Sequence, residues 1–388
     1  MKKQPMIVQI DGTNKKNKGA ELMFYAIIQE LEKKCPSAAI RYVGDPVHSG
    51  YFHTKQKILI PWQRTRLVES LHMRKILSEL HKIWSRFNYY IIKKNTKILF
   101  DASGYAFSDK WNWSNERTEM FTDYLRRHHD NGTKIVFLPQ ALGPFEKNNS
   151  KRMLEAINRY ADLLIAREEV SYDYALKAGF NKEKLLLYPD FTVSVQGTVP
   201  DRYKDQYDYL TIIPNCQMIR RGGESAESYQ RFLVSAIHEG KQDGRKVFLL
   251  NHEGPEDLAL CRRIGQEQDV EVVSDLNALE TKGFISRSYL VISSRFHGVA
   301  SALDTAVPCL ATSWSHKYEM LFKDYEQQNC VLDTSDNDSL CQRIREMLSP
   351  ENNRDIRTKL NERIAVNNSK TEEMWQTIWN TIGLPSEH

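Results

Sequence analysis

Met6–Lys34 reads MIVQIDGTNKKNKGAELMFYAIIQELEKK. Met6–Ile10 is an apolar run of strand length, and Asp11–Gly19 is a loop of Gly, Asn and Lys. From Glu21 to Lys34 the apolar residues recur at helical spacing. Strand, polar loop and helix in immediate succession form the opening unit of a doubly wound α/β domain. Outward from this unit the pattern repeats. Ala39–Val43, Lys97–Phe100, Lys134–Leu138, Leu163–Ile165 and Leu185–Leu187 read as further strands, mostly separated by helical stretches. Such alternation implies a largely parallel sheet covered on both faces.

The polar segment from Gln196 to Tyr207, with Gly197 and Pro200, suits a linker. Beyond it the pattern restarts with strands at Tyr209–Ile213, Lys246–Leu250, Val270–Val273, Tyr289–Ser293 and Pro308–Ala311. Helices are expected over Ser225–Gln242, from Leu276, from Phe296, and over Glu372–Ile382. The expected fold class is α/β, with two Rossmann-like domains facing across a cleft in the GT-B manner. The expected boundaries are 1–195, 208–365, and a final helix in 366–388 that packs back on the first domain.

Composition narrows the classes further. The chain has 388 residues, 41% of them hydrophobic, enough for two cores. Its net charge is +4, with 54 Lys and Arg against 50 Asp and Glu, which by itself says little about partners; no nucleic-acid partner is expected. Six Cys stand without a Cys-x-x-Cys pair, which reads as free thiols in a reducing, cytoplasmic setting. MKKQPMIVQIDG reads as a first strand rather than a signal peptide, and no run reaches the ~20 apolar residues of a membrane helix. No P-loop, His-Glu-x-x-His or Asp-x-Asp-rich loop is present, so neither metal nor nucleotide cofactor is expected.

The richest local signal is SSRFHGVASALDTAVPCLATSWSHKYEML, Ser293–Leu321. An apolar strand ends at Ser293, and Arg295 and His297 then stand where a helix begins. Open α/β sheets bind anions at such places. Arg can grip a carboxylate or phosphate with a planar fork, and His can move a proton near neutral pH. In isolation the pair is explained as well by a surface ion pair and a helix cap.

The segment that follows, with other landmarks, resembles the polysaccharide pyruvyl transferase family. There an Arg-(Leu/Phe)-His triplet precedes small residues, an apolar segment with Pro, a strand, and a lysine, matched here by Lys317. NKGAE, Asn17–Glu21, resembles the family's Asn-x-Gly-Asp-Glu loop. DASGY, Asp101–Tyr105, resembles its Gly-rich turn, and LPQALGPF, Leu138–Phe145, its Pro-Gln-Ser-x-Gly-Pro-Phe. AREEVSYDYALKAG carries Arg167 and Ser171 in register, Pro189–Asp190 resembles the close of the first domain, and His252 stands after a second-domain strand. One departure is Ala20 where the family loop often carries aspartate, so no role for that acid passes to this position.

The resemblance implies an enzyme that moves a pyruvyl group from phosphoenolpyruvate (PEP) to a hexose of a polysaccharide or lipid-linked glycan. The product is a cyclic ketal, formed with release of phosphate in capsule or exopolysaccharide assembly. PEP binding is expected of Arg167, Arg295, Phe296, His297 and Lys317, with His297 as proton donor. Acceptor binding is expected of Asn17, Gly19, Glu21, Asp101, Tyr105 and His252, with Glu21, Asp101 or Glu253 as the base. Trp111 and Trp113 are further aromatic candidates for stacking on a sugar. Arg64–Asn95 is basic, aromatic and helical in spacing, which suits the inner face of an anionic membrane as well as it suits a solvated helix face. Two rivals share the same pattern: a nucleotide-sugar-dependent GT-B glycosyltransferase, and a non-catalytic glycan-binding assembly protein.

Overall fold

The computed structural model describes residues 6–42, 54–59, 96–221, 226–312, 317–332 and 336–383. The chain divides into two units. One comprises Met1–Lys15, Met23–Asp190 and Glu372–His388; the other comprises Lys16–Leu22 and Phe191–Thr371. The NKGAE loop therefore groups with the second unit, although it lies within 1–195. Arg64–Asn95, proposed above as a membrane-facing segment, lies outside the described residues.

The first unit carries strands β1 (Ile7–Asp11), β2 (Ala39–Tyr42), β3 (Ile58–Leu59), β4 (Thr96–Asp101), β5 (Lys134–Gln140), β6 (Leu163–Ala166) and β7 (Leu185–Leu187). They pair in parallel in the order β3-β2-β1-β4-β5-β6-β7. β2 and β6 are buried at every position, as expected of strands covered on both faces. The helices are α1 (Lys18–Lys34), α2 (Asn115–Asp130), α3 (Asn148–Tyr160) and α4 (Glu169–Lys177). Strand order reverses between β1 and β4, whose last residues, Asp11 and Asp101, lie side by side in register.

The second unit repeats the scheme with β8 (Tyr209–Ile213), β9 (Val247–Leu250), β10 (Glu271–Val273), β11 (Ser288–Ser293), β12 (Cys309–Thr312) and β13 (Val331–Leu332). These are also parallel, in the order β10-β9-β8-β11-β12-β13. Its helices are α5 (Cys216–Arg221), α6 (Ala226–Gln242), α7 (Gly254–Gln268), α8 (Ala278–Ile285), α9 (Phe296–Leu303), α10 (Lys317–Asp324) and α11 (Asn337–Leu348). Here the order reverses between β8 and β11, which places the turn after Ser293 at the switch point where such sheets take ligands. The local choices agree with the fold. Asn277 and Glu280 close a capping box on α8, and Pro255 opens α7 where a missing N–H is harmless.

The final helix, α12, runs over Pro350–Ile382, much longer than the expected Glu372–Ile382. Leu360 anchors its first half among buried residues of the second unit. Its last part groups with the first unit, where Trp375 and Trp379 meet Phe100 edge-on at 5.8 and 6.0 Å. Trp379 Nε1 donates to Glu30 Oε1 at 2.7 Å. β3 and β13 escape the sequence reading because two residues are too few to show alternation. Among the described residues no helix is long and apolar enough to cross a membrane.

Candidate active site

β11 delivers Ser293, and the chain then turns into α9 with Arg295 as an extended N-cap residue. Ser293 Oγ accepts from Arg295 N at 3.1 Å and donates to Arg295 O at 2.9 Å, which fixes the turn. Ser294 is held from three sides. Its carbonyl accepts from Asn215 Nδ2 at 2.8 Å and Tyr318 OH at 3.0 Å, and its hydroxyl meets Thr312 Oγ1 at 2.8 Å and Tyr229 OH at 2.6 Å. Gly298 lets α9 lie on the sheet, since a Cβ there would come 2.5 Å from Ser293 Oγ and 2.9 Å from Ile213 Cδ1.

The Arg295 guanidinium is set by two acids from the start of α7. Its Nε donates to Asp257 Oδ2 at 2.8 Å, its Nη2 lies 2.5 Å from the same oxygen, and its Nη1 bonds Glu253 Oε2. Asp257 is fully buried and also accepts from Cys216 N at 3.0 Å. Burial works against the charge of Arg295, but the Asp257 and Glu253 carboxylates outweigh it and raise its pKa further, so the guanidinium stays protonated. The Cys216 thiol is pushed up to about 12 by burial and by Asp257, which removes it as a thiolate nucleophile.

The NKGAE loop meets this turn. Asn17 caps α1, accepting from Gly19 N at 2.9 Å and Ala20 N at 3.2 Å, while its Nδ2 donates to Glu253 Oε1 at 3.2 Å. Asn17 and Glu253 also form an isolated antiparallel bridge. Gly19 lies against the His297 ring so closely that a Cβ would come 1.9 Å from Nδ1. Lys18 Nζ pairs with Glu21 Oε2 at 3.2 Å, and Glu21 is buried. The His297 ring stands edge-on to Phe296 at 5.1 Å. His252, just beyond β9, is 3% exposed. Burial first, and then the charges of Arg295, His297 and Lys18, lower its pKa well below the usual histidine range.

Of the expected site residues, Asn17, Gly19, Glu21, His252, Arg295, Phe296 and His297 thus belong to the second unit, and contacts link most of them. Lys317 opens α10 in the same unit. Asp101, Tyr105 and Arg167 belong to the first unit. There Asp101 accepts from Ser103 N at 2.9 Å and Gln140 Nε2 at 3.2 Å. Burial, aided by Asp11, pushes its pKa up to about 6. Asp11 in turn is bonded by Tyr124 OH and by Gln9 Nε2. Tyr105 meets Trp111 edge-on at 6.0 Å, whereas Trp113 packs on Phe107 and Phe121. Arg167 lies 3.5 Å from Asp190, the acid of the Pro-Asp pair.

Asp257, Asp11 and the Ser294 network were missed by sequence reasoning. A signal for Asp257 did exist: it stands four residues after Glu253, on the same face of a helix start. Among the described residues no group of three His, Cys, Asp or Glu is arranged to hold a metal ion.

A family profile described as polysaccharide pyruvyl transferase matches residues 17–316, so the match opens at Asn17 and contains the Arg295–His297 turn. Solved structures of similar fold include a protein described as a UDP-N-acetylglucosamine 2-epimerase from Listeria monocytogenes, with a TM-score of 0.61, 11% identity and 99% of each chain covered. UDP-GlcNAc 2-epimerase from Neisseria meningitidis, solved with UDP-GlcNAc, has a TM-score of 0.58 and 10% identity, covering 96% of this chain and 99% of its own. Anabaena HepE, solved with UDP and glucose, has a TM-score of 0.58 and 12% identity, covering 98% and 100%. At such identities the likeness is one of fold, two Rossmann-like α/β units of the GT-B class.

Proposed function

The chain belongs to the polysaccharide pyruvyl transferase family, and on that premise we propose that it transfers the pyruvyl group of PEP to a hexose of a glycan precursor and closes a cyclic ketal. The observation that carries this reading is the seating of the NKGAE loop on the Arg295–His297 turn, with Gly19 against His297 and Asn17 tied to Glu253. Both segments carry the family resemblance, and together they bring Lys18, Glu21, Arg295 and His297 into one cluster.

The chemistry runs as follows. PEP's methylene carbon takes a proton from His297, and a sugar hydroxyl adds to carbon 2 as it loses its own proton to a carboxylate. A second hydroxyl of the same sugar then displaces inorganic phosphate and closes the ring. Arg295 donates Nε–H to Asp257 and Nη1–H to Glu253, and among the described residues its further N–H groups are assigned to a phosphate or carboxylate oxygen in the same plane. Lys317, of the same unit, is assigned to that anion on the family resemblance. Glu21 and Glu253, each bonded to a cation in the free protein, are the carboxylates of this unit assigned to the acceptor hydroxyl. The acceptor is a hexose of a polysaccharide or lipid-linked glycan precursor in capsule or exopolysaccharide assembly, and a lipid-linked acceptor would favour a membrane-facing role for the basic segment 64–95.

The test is mass spectrometry of lipid-linked and simple glycosides incubated with PEP, with parallel incubations containing UDP-sugars. The expected result is a glycan heavier by one pyruvic acid less one water, with release of one phosphate. Glycosyl transfer from a UDP-sugar, with no product from PEP, would overturn the reading.

A further inference from the structure

His252 Nδ1 is buried and has no hydrogen-bond partner among the described residues, in a side chain that is 3% exposed. Buried polar atoms are normally paired, so an orphan nitrogen beside a ligand site points to a partner that arrives with the ligand. The groups around it define that partner. Arg295 from the β11–α9 turn and Lys18 from α1 bear on the ring as cations. The acids nearby are committed elsewhere: Glu253 to Arg295 and Asn17, Asp257 to Arg295 and Cys216 N, and Glu21 to Lys18. Tyr318 donates to Ser294 O.

We infer that His252 is a proton-coupled anion ligand, which takes one proton from solvent when a phosphate-bearing anion binds among Lys18, His252 and Arg295, and donates Nδ1–H to that anion. The uptake is driven by charge: the bound anion offsets the cations that keep the ring neutral in the free protein, and the orphan Nδ1 is the nitrogen left to donate to it. The proposal deepens the PEP reading by giving one residue of that site a charge change on binding. It rests on that reading for the identity of the anion and not for the proton coupling.

The sign follows from linkage. The complex holds more protons than the free protein, so affinity rises as pH falls. The window opens at the pKa of the bound ring and closes at that of the free ring, which lies below the ordinary histidine value. Within it the binding constant changes by up to about tenfold per pH unit.

Calorimetric titration with PEP, and with sulfate as an anion that does not itself titrate, in buffers of differing ionisation enthalpy between about pH 6 and 8 counts the protons. The full-length protein is expected to take up about one more proton per anion than His252→Asn and His252→Gln. NMR of the histidine Cε1–H groups in the unmutated protein should show one ring becoming charged on saturation, and this does not depend on the variants folding. Equal proton counts in all three proteins, or no ring becoming charged with anion bound, overturns the inference. PEP binding without His252-dependent uptake removes the inference and leaves the PEP reading in place. Sulfate binding with uptake but no binding of PEP does the reverse.

Discussion

A methyl group added at Gly19 would lie 1.9 Å from His297 Nδ1, far inside contact distance. Gly19→Ala must therefore displace the ring or the loop. Overpacking of this kind costs about 1–3 kcal/mol, and a displacement near 1 Å at a reacting group can cost ~100-fold in rate. Turnover should fall by that order, well beyond what the lowered urea midpoint accounts for under conditions where the variant is still folded; unchanged turnover would show that the loop does not position His297. His297→Gln should keep PEP affinity within a few-fold and lower turnover ~100-fold or more, the usual worth of a general acid, as read by single-turnover kinetics and PEP titration. Asp101 makes a prediction about stability. Its folded pKa of about 6 lies above the ordinary 3.8, so the folded state holds a proton that the unfolded state has lost. Stability therefore falls as pH rises from near 4 through 6 and levels off above. Asp101→Asn removes this loss and should stabilise the protein at pH 7.5 by on the order of 3 kcal/mol, with little gain at pH 4. Denaturant unfolding at the two pH values checks it, and an equal effect at both would contradict it.

At the scale of elements, the site depends on where α7 and α9 begin. Glu253 and Asp257 share one face at the start of α7 and hold the guanidinium that α9 presents. Asp257→Asn leaves a largely buried cation with one partner fewer, and losing one side of a buried pair costs roughly 3–5 kcal/mol. Anion affinity should fall as well, because Arg295 loses its orientation, and equilibrium unfolding together with sulfate titration measures both. Wild-type stability in Asp257→Asn would mean that Glu253 alone suffices.

At the scale of the molecule, α12 contributes to both units. Its last part covers Phe100 of β4 with Trp375 and Trp379, both buried. Ending the chain after Thr371 removes two large side chains from the first unit, each typically worth about 3–5 kcal/mol when truncated. Amides of the first sheet should then lose hydrogen-exchange protection by several decades, while those around Leu210, Leu249 and Ile292 change little. Uniform loss across both sheets would show that the units do not unfold separately.

Much of this architecture was legible in the chain itself. Parallel strands buried on both faces must be short apolar runs, and the helices between them must carry a polar stripe. β1, β7, β8 and β11 could therefore be read to within a residue or so, and with them the repeat of one scheme in two units. The strand-to-helix turn at Ser293 likewise located Arg295 and His297, because local spacing alone sets that geometry. What the chain could not reveal were pairings between residues far apart along it. Gly19 beside His297, Asn17 beside Glu253, and Asp257 beside Arg295 arise only when β11, α7 and the first turn of α1 converge. The charge states of His252 and Asp101 were hidden for the same reason, since burial and neighbouring charges determine them and both are properties of the folded protein.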